Sequence, residues 1–283
     1  MTDWIKQIAS AAVLNQAWNA VRKDKSRWTR DLTMQDIEPN LPLHIGRLAE
    51  ELLNGQYRPQ RVRCFEVPKA SGSTRTICAP AVRDKLVQRA FLTVLEPLGE
   101  DIFHPNSFGY RPMCTVDMAL ARLREWIRQG YHWLGDADIS ACFDAIPQQP
   151  VLEQLMALCG DDRVITIVDR WFNAIPPAFR PSGQGLGLPQ GMVLSPFLCN
   201  LYLHDMDMDL EEQQIPFVRY ADDFIVLGTS EAAAQSALDR AAASLQRLHL
   251  QLNPDKTQII RTAKSHSFLG KKLPNVRQQR IAG

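Results

Sequence analysis

Two short apolar runs rich in β-formers flank a pair of adjacent aspartates in Phe217-Val218-Arg219-Tyr220-Ala221-Asp222-Asp223-Phe224-Ile225-Val226-Leu227. This pattern predicts a tight β-hairpin with two carboxylates at its tip. Adjacent acids repel each other, and burying them against a hydrophobic sheet is costly unless cations lie between them. The stretch reads either as an exposed Asp-Asp turn, a place aspartate favours, or as part of a cation site. The acids and bases elsewhere in the chain decide between the two.

At 283 residues the chain has material for one large domain or two modest ones with a hydrophobic core. Apolar residues make up 45% and charged residues 22%, a globular profile. The net charge is only +1, so a nucleic-acid partner would have to be recognised by local charge. Cys64, Cys78, Cys114, Cys142, Cys159 and Cys199 are scattered with no CxxC pair, which predicts buried free thiols in a reducing compartment. Met1-Thr2-Asp3-Trp4 lacks the pattern of a signal peptide, and no apolar segment approaches the roughly 20 residues of a membrane span. The expectation is a cytoplasmic protein with no membrane partner.

Helical spacing dominates residues 1–56, with Gly55 closing the second pattern. Residues 62–67 and 74–79 alternate like strands around a turn at 68–73, which predicts a hairpin. Arg58, Arg61, Arg63, Lys69, Arg75, Arg83, Lys85 and Arg89 cluster there against Glu66 and Asp84, a distribution suited to gripping phosphates. A helix is expected over 84–98, a structured loop at 106–112 and an amphipathic helix over 115–129 ended by Gly130. A strand should run from His132 to Ile139, followed by a helix beginning at Pro147 and another capped by Asp161-Asp162. Residues 181–191 are glycine-rich without the spacing of a P-loop or a GxGxxG turn, and lead into a helix from about Ser195. Thr229-Ser230 caps a helix to about Leu248, and Gln258 to Arg261 is the last strand. This order predicts an α+β fold, its sheet carrying helices on one face.

A two-metal phosphoryl-transfer site needs carboxylates around ions about 4 Å apart, and a single turn cannot surround both ions. Asp138, at the end of the predicted strand, can supply the acid from a second strand; Asp136, two residues earlier on the same face, competes with it. Asp144 reads as a cap for the helix near Pro147. His204-Asp205 with Asp207 and Asp209 imitates a metal cluster, but Asp205 and Asp209 lie one turn apart next to Glu211 and Glu212, like a solvated helix end. His104 and His132 lack ligand-spaced partners and read as structural.

Tyr220-Ala221-Asp222-Asp223 resembles the signature of reverse transcriptases, and other blocks follow in the family's order. Val67-Pro68-Lys69 with Gly72, Arg75 and Ile77 is similar to the fingers hairpin. Asn106-Ser107-Phe108-Gly109-Tyr110-Arg111-Pro112 is similar to a loop of bacterial enzymes related to group II intron reverse transcriptases. Asp138-Ile139 through Phe143-Asp144-Ala145-Ile146 resembles the first catalytic block. Gly187-Leu188-Pro189-Gln190-Gly191 with Leu194-Ser195-Pro196 resembles the nucleotide-positioning block. Asn253-Pro254-Asp255-Lys256-Thr257 and Phe268-Leu269-Gly270 are similar to the last palm blocks. The resemblance implies a right-hand polymerase with fingers and an antiparallel palm sheet backed by helices. The divisions it implies are an N-terminal helical extension (1–56), fingers (57–130), a palm (131–265) with finger-like insertions around 147–185, and a primer-grip turn with a basic tail (266–283).

The resemblance also implies roles. Asp138, Asp222 and Asp223, joined by the Ile139 carbonyl, would hold two Mg²⁺ ions, with Mn²⁺ as a substitute. Lys69 and Arg75 would clamp a dNTP triphosphate. Phe143 would be the steric gate against a ribose 2′-hydroxyl, Gln190 and Gly191 would lie against the nucleotide, and Phe268, Leu269 and Gly270 would grip the primer. Lys256 would be a general acid for pyrophosphate or a simple phosphate contact. The implied partners are an RNA template and a DNA or RNA primer. Group II enzymes carry a thumb and maturase region after the palm, whereas this sequence ends shortly after residue 270, so little or no thumb is expected and a protein partner would replace its grip. Residues 187–191 and 219–227 look most like CRISPR-associated reverse transcriptases, which work with an integrase complex to acquire spacers from RNA. Retron-like and abortive-infection enzymes are the alternatives, as is a palm-like nucleic-acid-binding subunit without chemistry.

Overall fold

The computed structural model describes residues 2–68, 72, 74–180, 185–262 and 267–272. In chain order it begins with α1 (Trp4–Ile8), α2 (Ala11–Val21), α3 (Met34–Ile37) and α4 (Leu41–Leu53), then the hairpin β1 (Arg63–Pro68) and β2 (Thr74–Ala79). The long α5 (Val82–Ile102), α6 (Val116–Arg128), β3 (Trp133–Asp138), α7 (Cys142–Ala145), α8 (Gln148–Cys159) and α9 (Asp162–Asn173) come next. The order closes with α10 (Ser195–Glu212), β4 (Phe217–Tyr220), β5 (Asp223–Gly228), α11 (Glu231–Arg247), β6 (Gln258–Arg261), β7 (Ser267–Phe268) and β8 (Lys271–Lys272).

Local chemistry accounts for the boundaries. The side chains of Ser10, Thr115, Asp161 and Ser230 accept backbone N–H bonds at the starts of α2, α6, α9 and α11, satisfying donors that a helix leaves orphaned. Asp144 departs from expectation. It lies inside α7, a single turn entered through Ala141 in the left-handed region (φ 46°), and Pro147 takes the N-cap of α8. The reversal after β3 consumes residues 141–145, so Asp144 is spent before the next helix begins.

The chain divides into two compact units, one of residues 1–102 with 147–201, the other of 103–146 with those from 202 on. The 147–185 stretch therefore shares a unit with the basic hairpin. Residues 103–130, expected with the fingers, belong with the main sheet.

In the first unit β1 and β2 pair antiparallel from Arg63↔Ala79 to Pro68↔Thr74. Buried Trp171 donates its indole N–H to the Tyr57 hydroxyl at 3.0 Å, and that hydroxyl donates to Asp84 Oδ1 at 2.7 Å. The Gln60 backbone N–H donates to Asp84 Oδ2 at 2.9 Å. Burial pushes the Asp84 carboxyl up to about 6 despite these donors. Part of the basic run is internal: Arg83 pairs with Glu51, Lys85 with Asp24, and Arg58 donates to the carbonyls of Gly55 and Tyr57. Arg61, Arg63 and Arg75 remain exposed on or beside the hairpin.

The second unit holds an antiparallel sheet of order β4-β5-β3-β6. Period-2 alternation sends Leu134, Val218, Ile225 and Leu227 to one face, where they pack with Ala119, Leu120, Leu123 and Ile127 of α6. On the other face a Cβ added at Gly135 would meet Leu238 of α11, and Ser244 of α11 bonds to Asp209 of α10. Both faces of the sheet thus carry helices. The expectation of one face fails because α6 has an apolar stripe of its own that needs a sheet to cover it.

Candidate active site

The two-residue link between β4 and β5 is Ala221-Asp222, with Tyr220 and Asp223 as the closing pair. Ala221 takes φ 61°, where a two-residue hairpin ordinarily uses glycine. Its surroundings hold it there. Arg219 Nη1 donates to the Ala221 carbonyl at 3.0 Å, while Nε and Nη2 make a bidentate pair with Asp207 at 2.7 and 2.5 Å. Arg219 is fully buried and Asp207 is 1% exposed. The 106–112 loop runs along the free edge of β4: the Arg219 N–H donates to the Asn106 carbonyl, and the Phe108 N–H to the Arg219 carbonyl, both at 2.9 Å. A Cβ at Gly109 would overlap the backbone N of Ala221 and come within 2.9 Å of its Cα, so only glycine permits this approach.

Asp223 lies directly opposite Asp138 across β5 and β3. Opposed like charges destabilise a sheet. Although Asp223 is exposed as a whole residue, loss of hydration around its carboxyl and the charges of Asp222 and Asp138 push it up to about 7. Asp222 is raised by burial, with Asp138 adding to it. Asp138 is buried; its Oδ2 accepts from Lys256 Nζ at 3.0 Å and from Asn253 Nδ2 at 3.2 Å. The bond to Asp138 raises Lys256 in turn. Ile139 forms a bridge with Leu252 in which the flanking residues make the hydrogen bonds. Its own N–H and carbonyl therefore point to the other edge, and the N–H donates to the Asp222 carbonyl at 3.3 Å.

Three crowded carboxylates at these strand ends are the hard oxygen donors that Mg²⁺ and Mn²⁺ favour. Among the described residues no three acidic, histidine or cysteine side chains form a ready metal cage. Asp138 is instead turned to Lys256 and Asn253. The donor chemistry fits a divalent cation, and burial together with the neighbouring carboxylates raises Asp222 and Asp223 there.

The remaining candidates separate by unit. Asp136 pairs across the sheet with Ile225 and Gln258, one pleat away from the facing acids. Phe143 lies on α7 in the second unit, with its ring 6.0 Å from that of Tyr110. Phe268 is buried in the α6 cluster, and Leu269 (φ 52°) and Gly270 (φ 74°) turn β7 into β8, as a type I′ turn requires. Phe268 is thus a core anchor in this fold. In the first unit the Cys78 N–H donates to the Gln190 carbonyl at 2.7 Å, and a Cβ at Gly191 (φ 102°) would stand 2.5 Å from the Cys78 carbonyl. This docks Gln190 and Gly191 on the strand that carries Arg75. Lys69 lies outside the described residues.

His104 is structural: its Nδ1 accepts the Asn106 N–H at 3.0 Å and its ring packs on Phe217. Of the acids after His204, Asp209 bonds to Ser244 and Arg247, and Asp207 is the buried partner of Arg219 rather than part of a solvated end. That pair was the main feature missed from sequence. The available signal was an arginine in the middle of a strand too apolar to be exposed, which demands a buried acid.

A four-stranded antiparallel sheet presenting acids at a hairpin and on the neighbouring strand end is the palm of a nucleic-acid polymerase. Residues 67–273 match the family described as reverse transcriptase (RNA-dependent DNA polymerase), and the chain belongs to that family. It is 28% identical to Protein YkfC of Escherichia coli strain K12, covering 84% of this chain and 73% of that protein. It is 29% identical to the group II intron-encoded protein LtrA of Lactococcus lactis subsp. cremoris, over 62% of this chain but only 29% of that protein. The solved structure of apo telomerase from Candida tropicalis shares the fold, with a TM-score of 0.59 at 14% identity over 76% of this chain and 47% of that one. Among the described residues no helix is long and apolar enough to cross a membrane.

Proposed function

We propose that the chain is an RNA-directed DNA polymerase that adds dNTPs to a primer 3′-hydroxyl on an RNA template. The observation that carries this reading is the facing of Asp138 and Asp223 across two strands, with Asp222 beside them and Lys256 on Asp138. Asp138, Asp222, Asp223 and the Ile139 carbonyl would hold the divalent cations. When bound, these supply activation of the attacking hydroxyl and neutralisation of the triphosphate charge. Lys256, held charged by its bond to Asp138, offsets negative charge beside the acids, which favours phosphate contact over proton donation. Exposed Arg75 suits bidentate contact with the triphosphate, on the strand where the 185–191 loop docks Gln190 and Gly191. Phe143 would screen the sugar.

Primer extension on poly(rA) with dTTP tests this reading. The full chain is expected to incorporate dTMP in Mg²⁺, and Asp222→Ala with Asp223→Ala to abolish incorporation. Equal synthesis by that variant would exclude catalysis at the hairpin and leave the reading of a nucleic-acid-binding subunit. For the pathway, the likeness of residues 187–191 and 219–227 to CRISPR-associated enzymes supports spacer acquisition from RNA beside an integrase complex. Recovery of the chain from its host with an integrase subunit and short RNA-derived DNA is the expected result. Recovery with a single structured RNA joined to its own DNA copy would instead place it with retron-like enzymes.

A further inference from the structure

We propose that Tyr110 is a positioning residue for sugar selection, bracing the Phe143 ring from the 106–112 loop. The inference rests on the polymerase reading and on Phe143 as the side chain that faces the ribose. Tyr110 has φ 60°, a left-handed conformation that is costly for an aromatic residue. Burial does not explain that conformation, because Tyr110 is 47% exposed.

In this conformation the Tyr110 ring reaches Phe143. The Tyr110 and Phe143 rings meet edge to face, with centroids 6.0 Å apart and planes at 85°. Both neighbours of Tyr110 are fixed. Gly109 abuts the backbone of Ala221 at the base of the acidic turn. Arg111 Nη1 donates to the carbonyls of His104 at 2.9 Å and Ser107 at 2.6 Å, and its guanidinium lies over the Phe103 ring. The tyrosine is thus carried on a frame tied to the same hairpin as Asp222 and Asp223.

Phe143 needs such a brace. It lies on α7, which is one turn long, is entered through left-handed Ala141 and leaves through extended Ile146. One turn does not by itself fix the direction of a half-buried ring. An unbraced phenyl ring that changes rotamer opens the space a 2′-hydroxyl would occupy, so loss of the contact admits ribonucleotides while leaving deoxynucleotide addition nearly intact.

The test is single-nucleotide incorporation by the full chain on an RNA template, with kcat/KM measured for a dNTP and the matching rNTP. Tyr110→Ala is expected to lower the dNTP-to-rNTP ratio by roughly two- to tenfold, the range an edge-to-face aromatic pair supports. The change should come from faster rNTP use. Tyr110→Phe should keep the parental ratio, since the edge contact uses the ring and not the hydroxyl. Phe143→Ala is the reference for an open gate. A Tyr110→Ala ratio equal to that of the parent, with both nucleotides slowed alike, overturns the proposal while the polymerase reading stands. A Tyr110→Phe variant as permissive as Tyr110→Ala also overturns it. A parent chain that incorporates nothing removes the polymerase reading itself.

Discussion

Replacing Arg219 by Met should be among the most damaging single changes to the second unit. The guanidinium is fully buried, and its nitrogens bond among others to the Asp207 carboxylate and the Ala221 carbonyl. Removing it leaves a carboxylate 1% exposed without its counter-charge, which costs about 3–5 kcal/mol. Asp207→Leu, leaving the guanidinium unpaired, should cost a similar amount. Removing both charges together is different, because an apolar pair of similar volume escapes the desolvation penalty. The double variant should lie within about 2 kcal/mol of the parent, the residue being the unsatisfied Ala221 carbonyl. Urea unfolding of the four members of the cycle measures this, with an expected coupling of about 3 kcal/mol or more. Additive single costs, or single costs below about 1 kcal/mol, would refute the reasoning. Primer extension separates stability from positioning. The double variant regains stability without regaining the bond that holds Ala221 at positive φ, so its kcat should remain depressed. Full recovery of both would reduce Arg219 to a stabilising residue.

Two other outcomes follow from the same geometry. Asp84 binds its proton more tightly in the folded chain (about 6) than at its ordinary value of 3.8, so stability should fall as pH rises through that window. At about 1.4 kcal/mol per pH unit the loss is on the order of 3 kcal/mol. Denaturation at pH 4 to 7 should show a slope in the parent that Asp84→Asn makes shallower by about that amount, leaving the share of the raised Asp222 and Asp223; matching profiles would remove Asp84 as a source. Gly109→Ala places a methyl against the Ala221 backbone and should cost roughly 1–3 kcal/mol, lowering both melting temperature and primer extension. An unchanged variant would show that the loop yields where the packing says it cannot.

Short-range chemistry made much of this fold legible. Asp161 and Ser230 cap the helices they were expected to cap, and Gln258–Arg261 forms a strand where one was expected. That Asp138 ends a strand and Asp222-Asp223 sits at a hairpin was legible from sequence neighbours, but the pairing of Asp138 opposite Asp223 came only from the register. Three other kinds of feature were not legible. Asp144 was misplaced because a single left-handed residue, Ala141, redirected the chain, and alanine carries no mark of that conformation. The double-sided sheet was hidden because α6 has the same stripe whichever surface it covers. The pairing of Asp207 with Arg219 joins a helix to a strand, and spacing along the chain says nothing about which helix covers which face.

The two faces of β4 and β5 explain how a hairpin can hold mutually repelling acids without losing its register. Asp223 and Asp138 point to the face that carries Ile225, Leu134 and α6; Arg219 points to the opposite face, toward α10. A slip of one residue in β4 exchanges its faces. It would drive the Arg219 guanidinium into the apolar cluster of α6 and leave Asp207 buried alone, each a penalty of several kcal/mol. Repulsion between Asp138, Asp222 and Asp223 works against the correct register from one side, and the ion pair opposes the slip from the other. Glycine at 109 then closes the 106–112 loop on the turn, so that Ala221, a buried alanine at positive φ, is held both by the Gly109 backbone and by the Arg219 guanidinium. On this reasoning the cost of crowding carboxylates is met at residues that never touch the reacting groups, and the tolerance of the acidic turn to substitution should be decided at Arg219, Asp207 and Gly109.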